Sequence, residues 1–281
     1  MPPVEADTEA RIPPPWPSDQ TALLAFHQSE WQSNILRRDD PAETSYGVTL
    51  RFLETADLND LVELHQAVVA NLPDRHIFRS DQPDFLADHI ERRGATVGAF
   101  KEGRLIGYAV VSFPYQDPDN LARFTDLPAD EALRVAHFDG AAVHPDFRGN
   151  HLHQTMNQIR GHYALLAGYH HLMGTVSPLN PYSLGNHLGA GFQVIGHAVC
   201  YGDMQRYIIH RKGHPTSLQR PRNPEDKELI SCPVDAFFEV SEHLAHGYIG
   251  FAVQRTSSGK YLLQMALRDT VTSDTNRAFR T

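Results

Sequence analysis

The segment from Val135 to Gly168 constrains the fold most, because a strand, a tight turn and an amphipathic helix follow one another directly. The strand VAHFDGAAV leads into the turn HPDFRGN, and a helix is predicted over residues 150–168. Five apolar residues of that helix are spaced three or four apart, which places them on one face: Leu152, Met156, Ile159, Tyr163 and Leu166. A helix with one apolar face has to bury it, so this segment predicts a helix packed on a sheet.

Strand and helix patterns alternate over most of the chain. GVTLRFLE reads as a strand, two helical stretches follow over residues 56–72 and 80–94, and ATVGAF and RLIGYAVVSF form a hairpin. The strand HHLMGTV leads to a short helix starting at Asn180, and two strands follow over residues 191–199 and 204–211. This order predicts a mixed α/β fold with helices on the faces of the sheet.

The chain divides into four predicted parts. Residues 1–20 are a disordered, proline-rich leader, and residues 21–46 form an accessory N-terminal helix. Residues 47–213 carry the regular pattern of the main domain. Residues 214–281 are a linker and a C-terminal hairpin around TSSG, which could extend the sheet, cover a cleft or pair in a homodimer. The polar loop 114–134 is long enough to be a lid or a substrate-binding loop.

The composition limits the classes of partner. With 25 lysines and arginines against 34 acids, the formal charge is −9, which argues against nucleic acid or an anionic membrane as main partner. No apolar run approaches the ~18 residues of a membrane span. Two cysteines give no disulfide framework, so a cytoplasmic protein is expected. None of the 17 histidines has the spacing of a dedicated zinc site, so no metal is predicted.

The turn before the helix has the chemistry of a phosphate site. The first backbone N–H groups of a helix are unpaired and carry the positive end of the helix dipole. Arg148 adds positive charge and Gly149 allows a close approach. The run AAVHPDFRGNHLHQTM resembles the acyl-CoA-binding motif of the GNAT superfamily of N-acetyltransferases, in which a strand, a proline and a glycine-containing turn open a helix. His151 and His153 stand where that motif has two small residues.

A second motif resembles the same family independently. In TVSPLNPYSLGNHLGAGF, Asn180 and Ser183 match the family's Asn-x-x-Ala/Ser, and a Gly-Phe pair follows at the expected spacing. His187 stands at the position of the family's usual tyrosine. Asn180 also suits a helix N-cap, and the spacings of three and four place all three side chains on one helix face.

The resemblance covers residues 47–212 and implies a fold, a co-substrate and an activity. The implied fold is a central, mostly antiparallel sheet with a splayed parallel strand pair, flanked by helices. The implied co-substrate is acetyl-CoA or another acyl-CoA, and the enzyme would be an N-acyltransferase that transfers groups other than aminoacyl groups to a small-molecule amine. The alternative is a catalytically weak ligand-binding or assembly module of the same fold. The residues that would bind acyl-CoA are Ala141, Ala142, Val143, Arg148, Gly149, Asn150, His151, Leu152, His153, Asn180 and Ser183.

The resemblance also suggests catalytic roles. His187 would take the place of the tyrosine and donate a proton or a hydrogen bond to the leaving sulfur. Asp139 is the predicted base, through water or directly, with His137 as the alternative; two residues apart on a strand, they share one side of the sheet. A backbone N–H near residues 141–143 would stabilise the oxyanion.

Overall fold

The computed structural model describes residues 19–36, 45–213 and 229–268. Nearly all of the predicted leader and the predicted linker over 214–228 lie outside the described residues. The described helices are α1 (Gln20–His27), α2 (Leu58–Ala70), α3 (Pro83–Glu91), α4 (Ala129–Ala132), α5 (Leu152–Leu166), α6 (Pro181–Gly189) and α7 (Phe237–Ala245). The described strands are β1 (Trp31–Leu36), β2 (Ser45–Phe52), β3 (Gly94–Lys101), β4 (Arg104–Ser112), β5 (Val135–Val143), β6 (His171–Val176), β7 (Gln193–Cys200), β8 (Met204–Lys212), β9 (Ile230–Pro233), β10 (Tyr248–Arg255) and β11 (Tyr261–Leu267).

All these strands join one sheet in the order β1-β2-β3-β4-β5-β6-β8-β7-β10-β11-β9. Within the described residues, β5 and β6 are the parallel pair and every other neighbouring pair is antiparallel. A parallel pair requires a crossover connection, and α5 provides it. The predicted mixed α/β fold with a mostly antiparallel sheet is therefore confirmed.

Helices cover both faces of the central strands. On one face, Met156 and Ile159 of α5 join the core of β3 and β4 through residues such as Ile106 and Val111. On the other face, α2 and α3 pack on the alternate residues of β4, including Tyr108 and Val110. Because successive strand residues point to opposite faces, β4 is buried on both sides. The strand pair β5–β6 is thus approached by a different set of helices from each side.

The N-terminal helix predicted over residues 21–46 is wrong beyond His27. Residues Trp31–Leu36 form a strand that pairs with β2. Every second residue of this strand is exposed and the others are half-buried or buried, which is the period of a strand. Before this strand, α1 packs Leu23 and Phe26 against the main core, and the Phe26 ring lies 4.8 Å from that of His162 on α5. Residues 31–36 are a strand because they pair with the edge of β2, and this pairing outweighs their local helix propensity.

The predicted C-terminal hairpin is present and extends the sheet. Strands β10 and β11 pair antiparallel, and β10 joins β7 through Gly250 and Val194. The outer side of β11 is covered by β9, which pairs Cys232 with Leu263. Among the described residues, β9 is therefore the strand at this end of the sheet, and a dimer contact made by pairing at this end would use β9.

Candidate active site

A gap opens between β5 and β6 in the middle of the sheet. The parallel ladder runs from Val135 opposite His171 to Phe138 opposite Gly174 and stops there. Beyond it, β5 still pairs with β4 up to Val143, opposite Gly107. Burial changes at the same point, because residues 135–138 are buried and residues 139–141 are only half-buried. Among the described residues, the backbone of β5 from Asp139 onward therefore has no strand partner on the β6 side.

The turn before α5 lies at the open end of this gap. Gly149 has φ +80° and His151 has φ +59°, so both adopt the left-handed conformation. The exposed side chain of Arg148 folds back and donates from Nε to the carbonyl of Val143 at 3.1 Å. Asn150 Oδ1 accepts from the N–H of Leu36 at 2.8 Å, so its side chain ties the turn to β1.

Of the predicted binding residues in this turn, only some can offer their side chains. Leu152 is buried in the core, and Asn150 is engaged with β1. The exposed His151 lies at the N-cap position of α5 and bonds Gln154 Oε1 through Nδ1 at 3.0 Å. What the turn presents is backbone: a helix N-terminus with a positive-φ glycine two residues before the cap.

Helix α6 closes the other side of the gap. Asn180 caps it as predicted, since Oδ1 accepts from the N–H of Ser183 at 3.0 Å. A polar chain links α6 to α5: Gln154 Nε2 donates to Asn186 Oδ1 at 3.2 Å, and Asn186 Nδ2 contacts His153 Nδ1 at 3.0 Å. His153 is thus a link between two helices, and because Nδ2 can only donate, its Nδ1 must accept.

His187 lies where α6 faces the start of the gap. Its ring is edge-on to Phe138, the last β5 residue paired with β6, with the centroids 6.2 Å apart. The side chain is buried, and Nδ1 has no hydrogen-bond partner among the described residues. Burial lowers the pKa of His187 well below 6.5, and the neighbouring His153 and Arg160 lower it further. The imidazole is therefore neutral at neutral pH.

Arg160 places a buried cation next to Phe138, where the gap begins. It projects from α5, is fully buried, and donates from Nη1 to the carbonyls of Val110 and Asp139, the latter at 3.1 Å. Its guanidinium carbon lies 4.1 Å from the centroid of the Phe138 ring. Burial lowers the pKa of Arg160 to about 9, so it stays protonated at neutral pH. These contacts hold the irregular β4–β5 pairing where the gap begins.

Asp139 lies on the opposite face of the sheet, with α2 and α3. Ser112 donates its hydroxyl to Asp139 Oδ2. His137 shares this side, as predicted, but its Nε2 accepts from the N–H of Leu121 at 2.9 Å. That bond anchors the loop 114–134, whose residues Leu121 and Ala122 pack on β5, β6 and β8. The imidazole nitrogen that a base would need is therefore engaged.

A second carboxylate near Asp139 was not predicted from the sequence. Asp81 precedes α3 and is buried; a Cβ placed on Gly140 would lie 3.2 Å from its Oδ2 and 3.8 Å from the hydroxyl of Tyr108. Burial raises the pKa of Asp81, and its ion pair with Arg79 opposes that shift. The residues around Asp81 come from three elements that are far apart in the chain, so no spacing in the sequence predicts that they meet.

The backbone and the side chain of Asp81 are held by different partners. Its backbone N–H donates to His65 Nε2 at 2.9 Å, so His65 carries its proton on Nδ1 and donates to the Tyr108 oxygen at 2.6 Å. Arg79 lies between two aromatic rings, 4.5 Å from the centroid of Phe85 and 4.6 Å from that of Tyr201.

The segment 71–82 is fastened across the gap to the β7–β8 turn. Arg75 forms an ion pair of 2.6 Å with Asp203, and Arg206 Nη1 donates to the carbonyl of His76 at 2.8 Å. Tyr201 of the same turn reaches Thr175 on β6, with 3.5 Å between their oxygens. These contacts enclose Asp81, Asp139 and the side chains around them. We call this group the acceptor face of the site.

This arrangement can hold an extended, phosphate-bearing ligand. The strand backbone along residues 140–142, which no described strand pairs on the β6 side, can pair with an amide-containing arm, and the N-terminus of α5 can receive phosphate oxygens. The carboxylates on one face and the imidazole on the other approach the gap where such an arm would end. The fold and the site together define an acyl-CoA-dependent acyltransferase class.

Comparison with known proteins gives the same class. Residues 61–192 match the acetyltransferase (GNAT) family. No curated protein matches the chain.

Solved structures similar to this chain include a GNAT acetyltransferase from Streptococcus pneumoniae, 15% identical, covering 59% of this chain and 98% of its own, with a TM-score of 0.46. An acetyltransferase from Salmonella typhimurium with its cofactor acetyl-CoA is 19% identical, covering 64% and 98%, with a TM-score of 0.44. An N-acetyltransferase from Thermoplasma acidophilum in complex with coenzyme A is 15% identical, covering 59% and 99%, with a TM-score of 0.42.

In the described parts of the chain, no helix combines the length and the apolar character that crossing a membrane would require. Both cysteines, Cys200 and Cys232, are free thiols.

Proposed function

We propose that this protein is an acyl-CoA-dependent N-acyltransferase that transfers an acyl group, with acetyl as the first choice, to the amine of a small molecule in the cytoplasm. The observation that carries the proposal is the gap between β5 and β6 beyond Phe138, open toward the backbone-lined turn at Gly149. Acyl-CoA supplies a thioester. The protein supplies a place for its arm, a base for the amine and a hydrogen-bond donor for the leaving sulfur.

The pantetheine arm is assigned to the backbone of residues 141–143, beyond the last β5 residue that pairs with β6, and the phosphates to the turn 148–153. The N–H groups at the start of α5 support this assignment, and so does Gly149, whose missing Cβ lets an anion approach the backbone. His151 and His153 contribute their backbone, since the His153 side chain is held by Asn186. On α6, Asn180 and Ser183 face the ligand from the opposite side.

The amine is assigned to the acceptor face. A protonated amine is attracted by two neighbouring carboxylates and has to lose a proton before it attacks. Asp81 is already paired with Arg79, so we assign the base to Asp139 and the orientation of the amine to Asp81. His137 is assigned a structural role, because Leu121 occupies its Nε2. As the C–N bond forms and the C–S bond breaks, the amine proton passes to Asp139, directly or through water.

His187 is assigned to the leaving sulfur. Its low pKa means that it acts as a neutral imidazole, which donates a hydrogen bond to a developing thiolate without carrying a charge beforehand. The nearby Arg160 adds positive potential at the same place, which also favours a thiolate.

The proposal is tested first by ligand binding and then by turnover. Because a ligand that binds only the folded state raises its apparent stability, acetyl-CoA at 100 times its dissociation constant should add ~2.7 kcal/mol. A panel of small primary amines, assayed for released thiol, should then give turnover that Asp139→Asn reduces. If the protein binds none of acetyl-CoA, longer acyl-CoA and free CoA, the proposed enzyme is excluded.

One observation favours a second function, a catalytically weak ligand-binding or assembly module of the same fold. His151 and His153 put large side chains where the family's motif has small ones, and His151 does so in a left-handed conformation. A protein of this kind would bind CoA weakly or not at all. Acetyl-CoA binding without thiol release across the amine panel would favour this alternative.

A further inference from the structure

Three side chains in the C-terminal extension converge outside the acyltransferase site. Cys232 lies on β9, and Glu239 and His243 lie on α7. One ligand atom from each, the cysteine sulfur, a carboxylate oxygen and an imidazole nitrogen, lies within 4.8 Å of the others. All three residues belong to the part of the chain that follows the family domain, so the acyl-transfer reaction does not account for them.

The convergence follows from the local fold. Cys232 is fully buried on the inner side of β9, opposite Leu263 of β11. Glu239 and His243 are four residues apart on α7, so they lie on the same helix face one turn apart. The helix is held in place by the buried side chains of Phe237 and Val240, so the three ligand groups are carried by two packed elements.

The environment suits a cation that arrives from solvent. Cys232 is buried, His243 half-buried and Glu239 exposed, so the cluster opens outward through the carboxylate. The Tyr248 ring lies edge-on to His243 with the centroids 5.6 Å apart and limits its rotation.

We propose that Cys232, Glu239 and His243 form a zinc-binding site that joins β9 to α7, with water as the fourth ligand. A thiolate, an imidazole and a carboxylate are the donors that zinc accepts, whereas magnesium and calcium select oxygen ligands. Tetrahedral zinc with bonds of ~2.0–2.3 Å sets its ligand atoms roughly 3.5 Å apart. The exposed Glu239 can move in to reach that spacing. Zinc–sulfur bond formation releases the Cys232 proton to water.

Such a site would fasten the edge of the sheet. β9 has four residues and pairs only with β11 among the described strands. A metal shared with α7 would add a second attachment and protect an open strand edge. It would act at the end of the sheet away from β5 and β6, so we expect metal binding and acyl-CoA binding to be independent.

The test uses the full chain without a histidine tag, first stripped of metal and then titrated with Co²⁺. The wild type should bind one equivalent with a thiolate-to-cobalt charge-transfer absorption that Zn²⁺ removes and Mg²⁺ does not. Cys232→Ser should abolish the absorption, and His243→Ala should weaken binding at least ~10-fold, the order seen for lost metal-site contacts. Two matched controls should bind like the wild type: Cys200→Ser, the other cysteine, and His246→Ala, just beyond α7.

The buried position of Cys232 makes His243→Ala the decisive variant, because His243 is half-buried and its loss leaves the core intact. Circular dichroism of each variant establishes that it is folded. The site is refuted if the folded wild type gives no charge-transfer absorption, if His243→Ala binds cobalt as the wild type does, or if Cys200→Ser removes the absorption. Acetyl-CoA binding, measured in the same samples, tests the acyltransferase proposal separately.

Discussion

Replacing His151 by glycine tests the turn that opens α5. His151 has φ +59°, and the left-handed conformation costs a residue with a Cβ about 1–2 kcal/mol. Glycine removes that cost but loses about 0.5–1 kcal/mol through its greater freedom in the unfolded chain. The side chain of His151 is exposed and its bond to Gln154 contributes little. His151→Gly should therefore stabilise the fold by about 0.5–1 kcal/mol and raise Tm by about 1–4 °C.

The assay is thermal unfolding, with acetyl-CoA affinity measured by calorimetry on the same variants. His151→Ala keeps the left-handed conformation and should stay within about 0.5 kcal/mol of the wild type. His153→Gly, inside the first turn of α5, should have the opposite sign and lose more than about 1 kcal/mol, because glycine disfavours the helix and the hydrogen bond with Asn186 is lost as well. Affinity for acetyl-CoA should be unchanged or higher in His151→Gly, since the backbone makes the contacts. Equal stabilisation by alanine and glycine, or a lower Tm in His151→Gly, would refute the reasoning.

Three further predictions concern the site. His187→Phe should lower turnover by roughly 10²-fold with unchanged acetyl-CoA affinity, and wild-type turnover should show no step from His187 protonation above pH 6.5, because its pKa lies well below that value. Asp81→Asn should lower turnover yet raise Tm at pH 7. The folded state binds the Asp81 proton more tightly than the unfolded chain does, so wild-type stability falls as pH rises through the raised pKa of Asp81. The uncharged asparagine avoids that loss. Asp203→Ala should leave Tm close to that of the wild type, because its ion pair is exposed, but raise the KM for the amine and leave acetyl-CoA affinity unchanged.

The sequence motifs predicted the structural elements that carry the proposed acyl-CoA half of the site, because those elements depend on local spacing. The turn before α5 and the cap of α6 depend on residues a few positions apart, and such spacings translate directly into geometry. Asn180 caps α6 as predicted, and β5 has the predicted bounds. The roles of His187 and Asp139 stay predictions.

The acceptor half could not be predicted in the same way. Asp81 approaches Gly140, and Asp203 holds the segment 71–82 only because the sheet brings β5 and the β7–β8 turn beside the end of α2. The histidine spacings likewise gave no hint of Cys232, whose proposed partners on α7 are reached through a strand-to-helix connection.

The sequence by itself determined the order of the main strands and helices over residues 47–212, the resemblance to the GNAT family and the position of the turn that opens α5, since periodicity and capping are properties of neighbouring residues. The tertiary structure decided that residues 31–36 are a strand, that His137 serves the loop 114–134, and that His187 is neutral. Each of these depends on a partner or on burial supplied by distant parts of the chain. Strand pairing and desolvation are set by the packed fold, and no local pattern contains them.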